Sequence, residues 1–290
     1  MTLLAIAARA RDVDGVDPLN EASRLALDAG HVGRVHVAVK EGTTVVAAAY
    51  ADGDAPVELV VDPDHRRRGH GAALLARLLA AGETRFWAHG DLPAAQALAA
   101  AKNLDPARTL LMLRLEMDAE PEPALRRAQA PQVPDGVTIR SFEPNDIDVI
   151  VRVNGRAFAS HPEQGAMDRA DFEQRSGSDW FDPAGLFVAE RDGEIVGFHW
   201  TKIDPGPEPV EGSTGSGTQR VGEVYVVGVD PSEQGSGLGT ALTVWGLRHL
   251  HESGIRTVDL YVEGDNDPAL AVYRRLGFTE HARDVLYSAR

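Results

Sequence analysis

The sequence contains no cysteine among its 290 residues. This absence excludes disulfide bonds, thiolate metal ligands and cysteine nucleophiles. Lysine is almost as scarce, with Lys40, Lys102 and Lys202 as the only three among 29 basic residues. Acidic residues outnumber basic ones, and the formal net charge is −15. We therefore expect no nucleic-acid partner, because binding a phosphodiester backbone needs a basic surface.

Long hydrophobic runs are also missing. No stretch reaches the about 18 consecutive apolar residues of a membrane helix, so no membrane span is predicted. The short apolar start is interrupted by Arg9 and Arg11 and lacks the basic first region of a secretory signal, and we expect a cytoplasmic protein. The composition, 43% hydrophobic and 25% charged, is that of a globular chain of one large or two medium domains.

Two segments of the chain resemble each other. Asp62-Pro63 lies 168 residues before Asp230-Pro231, and the glycine-rich turn after each Asp-Pro pair aligns under the same offset. In each half an apolar strand leads into this turn, the turn opens an aliphatic helix, and a second strand, turn and helix follow. The repetition predicts the same domain built twice.

Turn-forming residues and apolar runs predict the organisation of both halves. Residues 117–136, rich in Pro, Glu and Ala, predict a linker between domains at 1–116 and 137–290. Residues 190–194 predict a tight hairpin turn, and residues 204–220 predict a long polar loop. The predicted fold class is α+β, with a mixed sheet in each domain. The predicted strands cover residues 34–39, 43–50, 57–61, 109–117, 137–142, 186–191, 194–203, 222–229, 257–262 and 284–289.

The glycine-rich turns are candidate phosphate sites. Such a turn before a helix presents backbone N–H groups at the positive end of the helix dipole. Gly235, Gly237 and Gly239 would let a phosphate approach the backbone closely. The turn lacks Gly-Lys-Ser/Thr, which excludes a nucleoside-triphosphate P-loop, and its spacing differs from that of dinucleotide-binding domains. A single turn of this kind is equally consistent with a tight strand-to-helix connection, but its recurrence favours phosphate binding.

Three motifs resemble those of the GCN5-related N-acetyltransferases (GNATs). Residues 227–242, VGVDPSEQGSGLGTAL, are similar to that family's acetyl-CoA motif, Gln/Arg-x-x-Gly-x-Gly/Ala after a bulged strand. Residues 66–71, RRRGHG, are a related version in the first half. Residues 262–278, VEGDNDPALAVYRRLGF, match the family's Asn…Tyr…Leu-Gly-Phe pattern. The resemblance implies two tandem domains, each with a mixed, splayed β-sheet flanked by helices.

The same resemblance implies acetyl-CoA as cosubstrate and no metal. The cofactor-binding residues it implies in the second half are Val227, Gly228, Val229, Gln234, Gly235, Ser236, Gly237, Leu238, Gly239, Thr240, Asn266, Asp267, Pro268, Ala269, Leu270 and Ala271. In the first half the corresponding residues are Leu59, Val60, Val61, Arg67, Arg68, Gly69, His70, Gly71 and Ala72. The ten histidines show no helical His-x-x-x-His spacing of the zinc-site type.

Acetyl transfer to an amine needs a base for the ammonium proton, donors for the oxyanion and an acid for the departing thiolate. The resemblance implies Glu223 as general base, acting through water, and Tyr273 as general acid. A solvated strand-end charge and a packed aromatic ring are the alternative interpretations. Ala55 occupies the position matching Glu223 in the first half, and Leu98 or Ala99 matches Tyr273. We expect no turnover in the first half.

The tandem layout, together with HPEQG at residues 161–165, resembles family members that acetylate the cysteinyl amine of Cys-GlcN-Ins, a small-molecule substrate. Substrate contacts are implied for five residues: Glu21, Glu163, Lys202, Glu223 and Tyr261. Glu21 is also explained as a favourable charge at a helix N-terminus, and Lys202 as a strand-end lysine. Acetylation of another small-molecule or peptide amine, and a non-catalytic acetyl-CoA sensor, remain as alternatives. We expect a monomer.

Overall fold

The computed structural model describes residues 2–117, 133–159, 162–203 and 220–290. The chain divides into two units. The first consists of Met1–Leu111, Glu263–Asp265 and Ala282–Arg290, and the second of Met112–Val262 and Asn266–His281. Most of the predicted linker and nearly all of the predicted polar loop lie outside the described residues. The domain boundaries derived from the sequence stay a prediction.

The first unit begins with two helices that carry their own caps. Thr2 Oγ1 accepts a hydrogen bond from the Ala5 N–H, and Asn20 Oδ1 accepts one from the Ser23 N–H. These bonds satisfy N–H groups that a helix N-terminus leaves unpaired. The elements up to the end of the first half are α1 (Leu3–Asp14), α2 (Glu21–Asp28), β1 (Val35–Glu41), β2 (Thr44–Ala51), β3 (Val57–Val61), α3 (His70–Ala80), β4 (Arg85–Ala88), α4 (Pro93–Ala101) and β5 (Leu104–Glu116).

The second half repeats the mixture of strands and helices. Its elements are β6 (Val137–Ser141), α5 (Ile147–Ala157), α6 (Pro162–Gly165), α7 (Arg169–Ser176), β7 (Leu186–Arg191), β8 (Glu194–Ile203), β9 (Val221–Val229), α8 (Leu238–Glu252), β10 (Thr257–Glu263), α9 (Asp267–Arg275) and β11 (Thr279–Ala289). Every strand predicted from the sequence is present. Asp192 and Gly193 join β7 to β8 with φ of 52° and 82°, as in a type I′ turn, which confirms the predicted hairpin.

The sheet of the first unit is completed by the last strand of the sequence. β1, β2 and β3 pair antiparallel, and β3 pairs parallel with β4. β4 then pairs antiparallel with β11, from Val285↔Ala88 to Ser288↔Arg85. Leu74, Leu75 and Leu78 of α3 are buried in the core on this sheet. This arrangement is a mixed sheet with helices packed on it.

The second unit contains its own mixed sheet. β6, β7, β8 and β9 pair antiparallel in that order, and β9 pairs parallel with β10. Phe172, Phe198 and Trp200 are fully buried in its core. Leu238 and Leu242 of α8 are fully buried in a neighbouring cluster. The α+β fold class predicted from the sequence is confirmed in both units.

A bulge divides β9 into two parts. Thr201 pairs with Val224 and Trp200 pairs with Val226, so Tyr225 is an extra residue in β9. β9 pairs in parallel with β10 from Thr257↔Val221 to Leu260↔Val224. Beyond the bulge, β9 pairs with β8. Since a bulge bends the strand that carries it, β9 separates from β10 after Val224. The sheet is therefore splayed at the position the motif resemblance implies.

Candidate active site

The glycine-rich turn of the second unit connects β9 to α8. Asp230 caps it, with Oδ1 accepting hydrogen bonds from the Ser232 N–H at 3.0 Å and the Ser232 Oγ at 2.7 Å. Gly235 and Gly237 have φ of 80° and 90°, which side-chain-bearing residues rarely adopt. A Cβ at either position would meet no atom within 4 Å. The backbone conformation, rather than crowding, requires glycine here, and the approach to the start of α8 is open.

Glu223 lies between two charged cross-strand neighbours. Lys202 of β8 pairs with it on one side and Asp259 of β10 on the other. Asp259 in turn accepts two hydrogen bonds from Arg114, at 2.7 and 2.8 Å. Directly opposed residues of neighbouring strands share a face of the sheet. The side chains of Glu223, Lys202 and Asp259 therefore share one face of the sheet, and the charge of Asp259 is neutralised by Arg114. Glu223 lies just before the point where β9 separates from β10.

Lys202 lies over an aromatic surface that the sequence did not reveal. Its Nζ is 4.9 Å from the centroid of the Trp180 ring and 5.4 Å from that of Tyr225. Both rings contact the buried Trp200, with centroids 5.9 and 5.5 Å away. Aromatic faces attract a cation at these distances. Tyr225 contributes because it is the bulge residue, and a bulge cannot be located from alternation alone.

Tyr273 lies on α9, the helix that Asn266 caps by accepting a hydrogen bond from the Ala269 N–H at 3.2 Å. Its ring packs edge-to-face on Phe278, with centroids 5.8 Å apart. Burial raises the pKa of the Tyr273 hydroxyl to about 12. The phenol therefore stays protonated at neutral pH, which a proton donor requires.

Two family models match the chain, one in each half. The model described as the acetyltransferase (GNAT) family matches residues 156–278, and the one described as the acetyltransferase (GNAT) domain matches residues 31–104. A protein of Thermomonospora curvata named mycothiol acetyltransferase is 49% identical to this chain, over 99% of this chain and 92% of its own length. The chain belongs to the mycothiol acetyltransferase family. A Clavibacter sepedonicus protein of the same name is also 49% identical, over 98% of this chain and 90% of its own.

The fold of this mycothiol acetyltransferase family member is shared with solved structures. The crystal structure of a GCN5-related N-acetyltransferase from Sphaerobacter thermophilus has a TM-score of 0.71 at 22% identity, covering 98% of this chain and 90% of that one. The predictions of an enzyme, of acyl transfer and of two GNAT domains are confirmed. No helix among the described residues combines the length and the hydrophobicity needed to span a membrane. The roles of individual residues stay predictions.

In the first GNAT domain of this mycothiol acetyltransferase family member, the predicted cofactor residues surround a cavity. Its volume is about 470 Å³. Eight of the nine predicted residues line it, namely Leu59, Val60, Val61, Arg67, Gly69, His70, Gly71 and Ala72. Arg68 is the exception and points elsewhere, toward the Asp64 carbonyl at 3.0 Å. β3 pairs with β4 at Val57↔Phe86 and Glu58↔Trp87. The two strands therefore separate before β3 reaches its glycine-rich turn, as β9 and β10 do in the second unit.

A buried charged cluster beside this cavity was missed by sequence reasoning. His89 Nε2 is 2.7 Å from Glu58 Oε1, and its Nδ1 is 2.9 Å from Asp284 Oδ2. Burial opposes the charge on His89, but the bonds to Asp284 and Glu58 raise the pKa of its imidazole to about 9. The imidazolium thus balances two carboxylates. Asp284 lies 195 residues along the chain from His89, and no local pattern signals such a partner.

The predicted substrate residues occupy separate parts of the described chain. Glu21 is the first residue of α2 in the first unit, where its charge favours the helix N-terminus. Lys202 and Glu223 are cross-strand neighbours in the second unit. Tyr261 is 51% exposed on β10. The side chain of Glu163 and the whole of His161 lie outside the described residues.

Proposed function

We propose that this enzyme acetylates the cysteinyl amine of Cys-GlcN-Ins with acetyl-CoA and so produces mycothiol. The observation that carries the proposal is the 49% identity over 99% of the chain to a mycothiol acetyltransferase. The second unit supports it, because the bulged strand, the open glycine-rich turn and the two predicted proton-transfer residues all occur there. Both GNAT domains lie within the aligned length.

The second unit has the features needed to hold acetyl-CoA, which supplies an activated acetyl thioester. Within the described residues, Val227–Val229 pair with β8 and lie beyond the pairing of β9 with β10. Their open side can pair with the amides of the pantetheine arm, as a sheet edge pairs with an added strand. Gln234–Thr240 can hold the pyrophosphate at the start of α8, where backbone N–H groups and the helix dipole favour an anion. Asn266–Ala271, at the start of α9, would complete the binding site for acetyl-CoA. We assign turnover to this unit.

Glu223 and Tyr273 have the chemistry that direct acetyl transfer needs. Glu223 takes the proton of the substrate ammonium, whose pKa in a free α-amine is about 8, through a water molecule. The neighbouring Asp259 is neutralised by Arg114, which limits repulsion between the two carboxylates. Tyr273 donates a hydrogen bond, and then its proton, to the sulfur as negative charge develops there. Lys202 and its aromatic neighbours contact the amino sugar.

The first unit is proposed to bind a second acetyl-CoA without turnover. The cavity lined by Leu59–Val61 and the turn at Arg67–Ala72 supports binding. Ala55 replaces the base and Leu98 or Ala99 replaces the acid in the alignment of the halves. An alanine and an aliphatic side chain cannot transfer protons. Glu21, the first residue of α2, stays a predicted substrate contact.

The proposal is tested by measuring CoA release with different amines. We expect the highest kcat/KM with Cys-GlcN-Ins, compared with glucosamine, cysteine and peptide amines. Equal kcat/KM values for all of these amines would contradict the assignment of Cys-GlcN-Ins as substrate but not the acetyl-transfer activity. Binding of acetyl-CoA by calorimetry without CoA release for any amine would instead identify a sensor.

Gly237→Ala is expected to weaken acetyl-CoA binding in addition to lowering the free energy of unfolding. A left-handed conformation costs an alanine roughly 1–2 kcal/mol, and Gly237 has φ of 90°. Gly193→Ala is the matched control, since Gly193 has φ of 82° and equally open surroundings. Both variants should lose about the same free energy of unfolding in urea. Only Gly237→Ala should raise the KM for acetyl-CoA, by about tenfold, as expected for one lost phosphate contact.

An equal KM in the two variants would contradict a phosphate site at this turn. A loss of stability confined to Gly237→Ala would point to a packing role for this glycine.

A further inference from the structure

Three potential metal ligands converge in the first unit. Glu41 is the last residue of β1, His65 ends the short 3-10 turn after β3, and His70 is the first residue of α3. Their ligand atoms all lie within 4.8 Å of one another. His65 Nδ1 is 3.0 Å from Glu41 Oε2, and His70 Nε2 is 2.9 Å from Glu41 Oε1. Each imidazole therefore faces a different oxygen of one carboxylate.

Regular backbone structure holds all three residues in place. Glu41 pairs with Thr44 where β1 and β2 join. The His65 N–H donates to the Asp62 carbonyl at 2.9 Å, and Gly69 in its left-handed conformation starts α3 directly before His70. Ligands on such elements need little reorganisation to bind a cation.

The second observation concerns the ring nitrogen of His70. Its Nε2 is buried and has no hydrogen-bond partner, although the Glu41 carboxylate oxygen is 2.9 Å away. The two atoms are close without the alignment of a hydrogen bond. Neighbouring ligands of a tetrahedral metal with bonds of about 2.1 Å are about 3.4 Å apart. The two histidine–carboxylate distances here, 3.0 and 2.9 Å, are slightly shorter, and all the ligand atoms lie within 4.8 Å of one another.

We propose that Glu41, His65 and His70 form a binding site for a divalent transition-metal cation such as zinc. Two imidazole nitrogens with one carboxylate suit zinc, nickel or cobalt, whereas magnesium and calcium prefer oxygen ligands alone. The chain has no cysteine, so no thiolate competes for the ion. Three protein ligands leave a coordination position for water or an anion. His65 and His70 also line the cavity of the first unit, which places the ion at its wall.

Arg68 supplies the competing explanation. Its Nη1 is 3.6 Å from Glu41 Oε2 and 3.4 Å from His65 Nδ1, so the cluster could be an ion-pair network around one carboxylate. A guanidinium there repels a metal ion. The side chain of Arg68 is 55% exposed, and solvent can accommodate it when an ion binds. The two explanations predict opposite results for removal of Arg68.

Zinc binding by the full chain tests the proposal. Zinc is titrated at pH 7.5 in competition with a chromophoric chelator, and folding of each variant is checked by circular dichroism and thermal melting. Glu41→Gln, His65→Ala and His70→Ala should each weaken zinc binding at least about tenfold. Arg68→Ala should strengthen it, because the competing charge is gone. His31→Ala removes an exposed histidine elsewhere and should leave zinc binding unchanged.

Cobalt provides an independent readout of the ligands. We expect visible d–d absorption bands from cobalt bound to the wild-type chain and their loss in the folded His65→Ala/His70→Ala double variant. Zinc affinity that is equal in the wild type and this double variant would overturn the proposal. Unchanged or weaker zinc binding in Arg68→Ala would overturn it as well, in favour of the ion-pair network.

Discussion

Glu223→Gln is expected to lower kcat/KM for the amine by about 10²–10⁴-fold at pH 7, the usual contribution of a general base. Glutamine keeps the size of the side chain and one acceptor oxygen, but it accepts no proton. The deficit should shrink as pH rises, because the free amine, with a pKa of about 8, then loses its proton to solvent. Steady-state CoA release between pH 6.5 and 9.5 measures both effects.

Asp259→Asn is the matched control for this experiment. It makes the same change from carboxylate to amide in Asp259 of β10, the cross-strand neighbour of Glu223. Loss of its ion pair with Arg114 should lower stability, but kcat/KM should fall by less than about tenfold. A similar kinetic loss in both variants, or a deficit in Glu223→Gln that does not change with pH, would contradict the role of Glu223 as base.

Tyr273→Phe is expected to lower kcat by about 10²–10³-fold with little change in the KM for acetyl-CoA. Phenylalanine retains the edge-to-face contact with Phe278 and removes the hydroxyl whose pKa burial raises to about 12. Without that donor, the sulfur must leave as an unprotonated thiolate. Since the donor acts in the transition state, its loss should affect turnover rather than binding.

Tyr287→Phe provides a control with similar chemistry in the first unit. Burial and a 2.8 Å hydrogen bond to Asp91 raise the pKa of the Tyr287 hydroxyl to about 12 as well. Because turnover is assigned to the second unit, kcat should stay near the wild-type value in Tyr287→Phe and in variants of Leu98. A loss of kcat in the first-unit variants equal to that of Tyr273→Phe would contradict a single catalytic site.

Local features of the fold were predictable from the sequence. The strands follow apolar, β-branched runs, and the hairpin at Asp192-Gly193 and the glycine-rich turns follow residues that tolerate positive φ. The offset of 168 residues between the halves also aligns Arg67 with Gly235 in sequence. Arg67 adopts φ of 62°, an unfavourable conformation for a side-chain-bearing residue, which the alignment alone could not reveal.

Features that depend on distant residues were not predictable. Glu58, His89 and Asp284 form one charged cluster only because β11 lies beside β4. Glu41 meets His65 and His70 because β2 pairs with β1 on one side and with the end of β3 on the other. The contact of Lys202 with Tyr225 depends on a single extra residue in β9. Each of these contacts results from strand pairing, which one sequence without relatives does not specify.

The pairing of β11 with β4 has a consequence for how the protein is made. On the ribosome, Ala88 emerges almost 200 residues before its partner Val285, a delay of roughly 10–40 s at ordinary translation rates. During that interval β4 is an open edge, able to pair with other nascent chains. The amino-terminal half can therefore complete its sheet only after β11 has been synthesised, and chaperones that shield unpaired edges should be most needed in that interval.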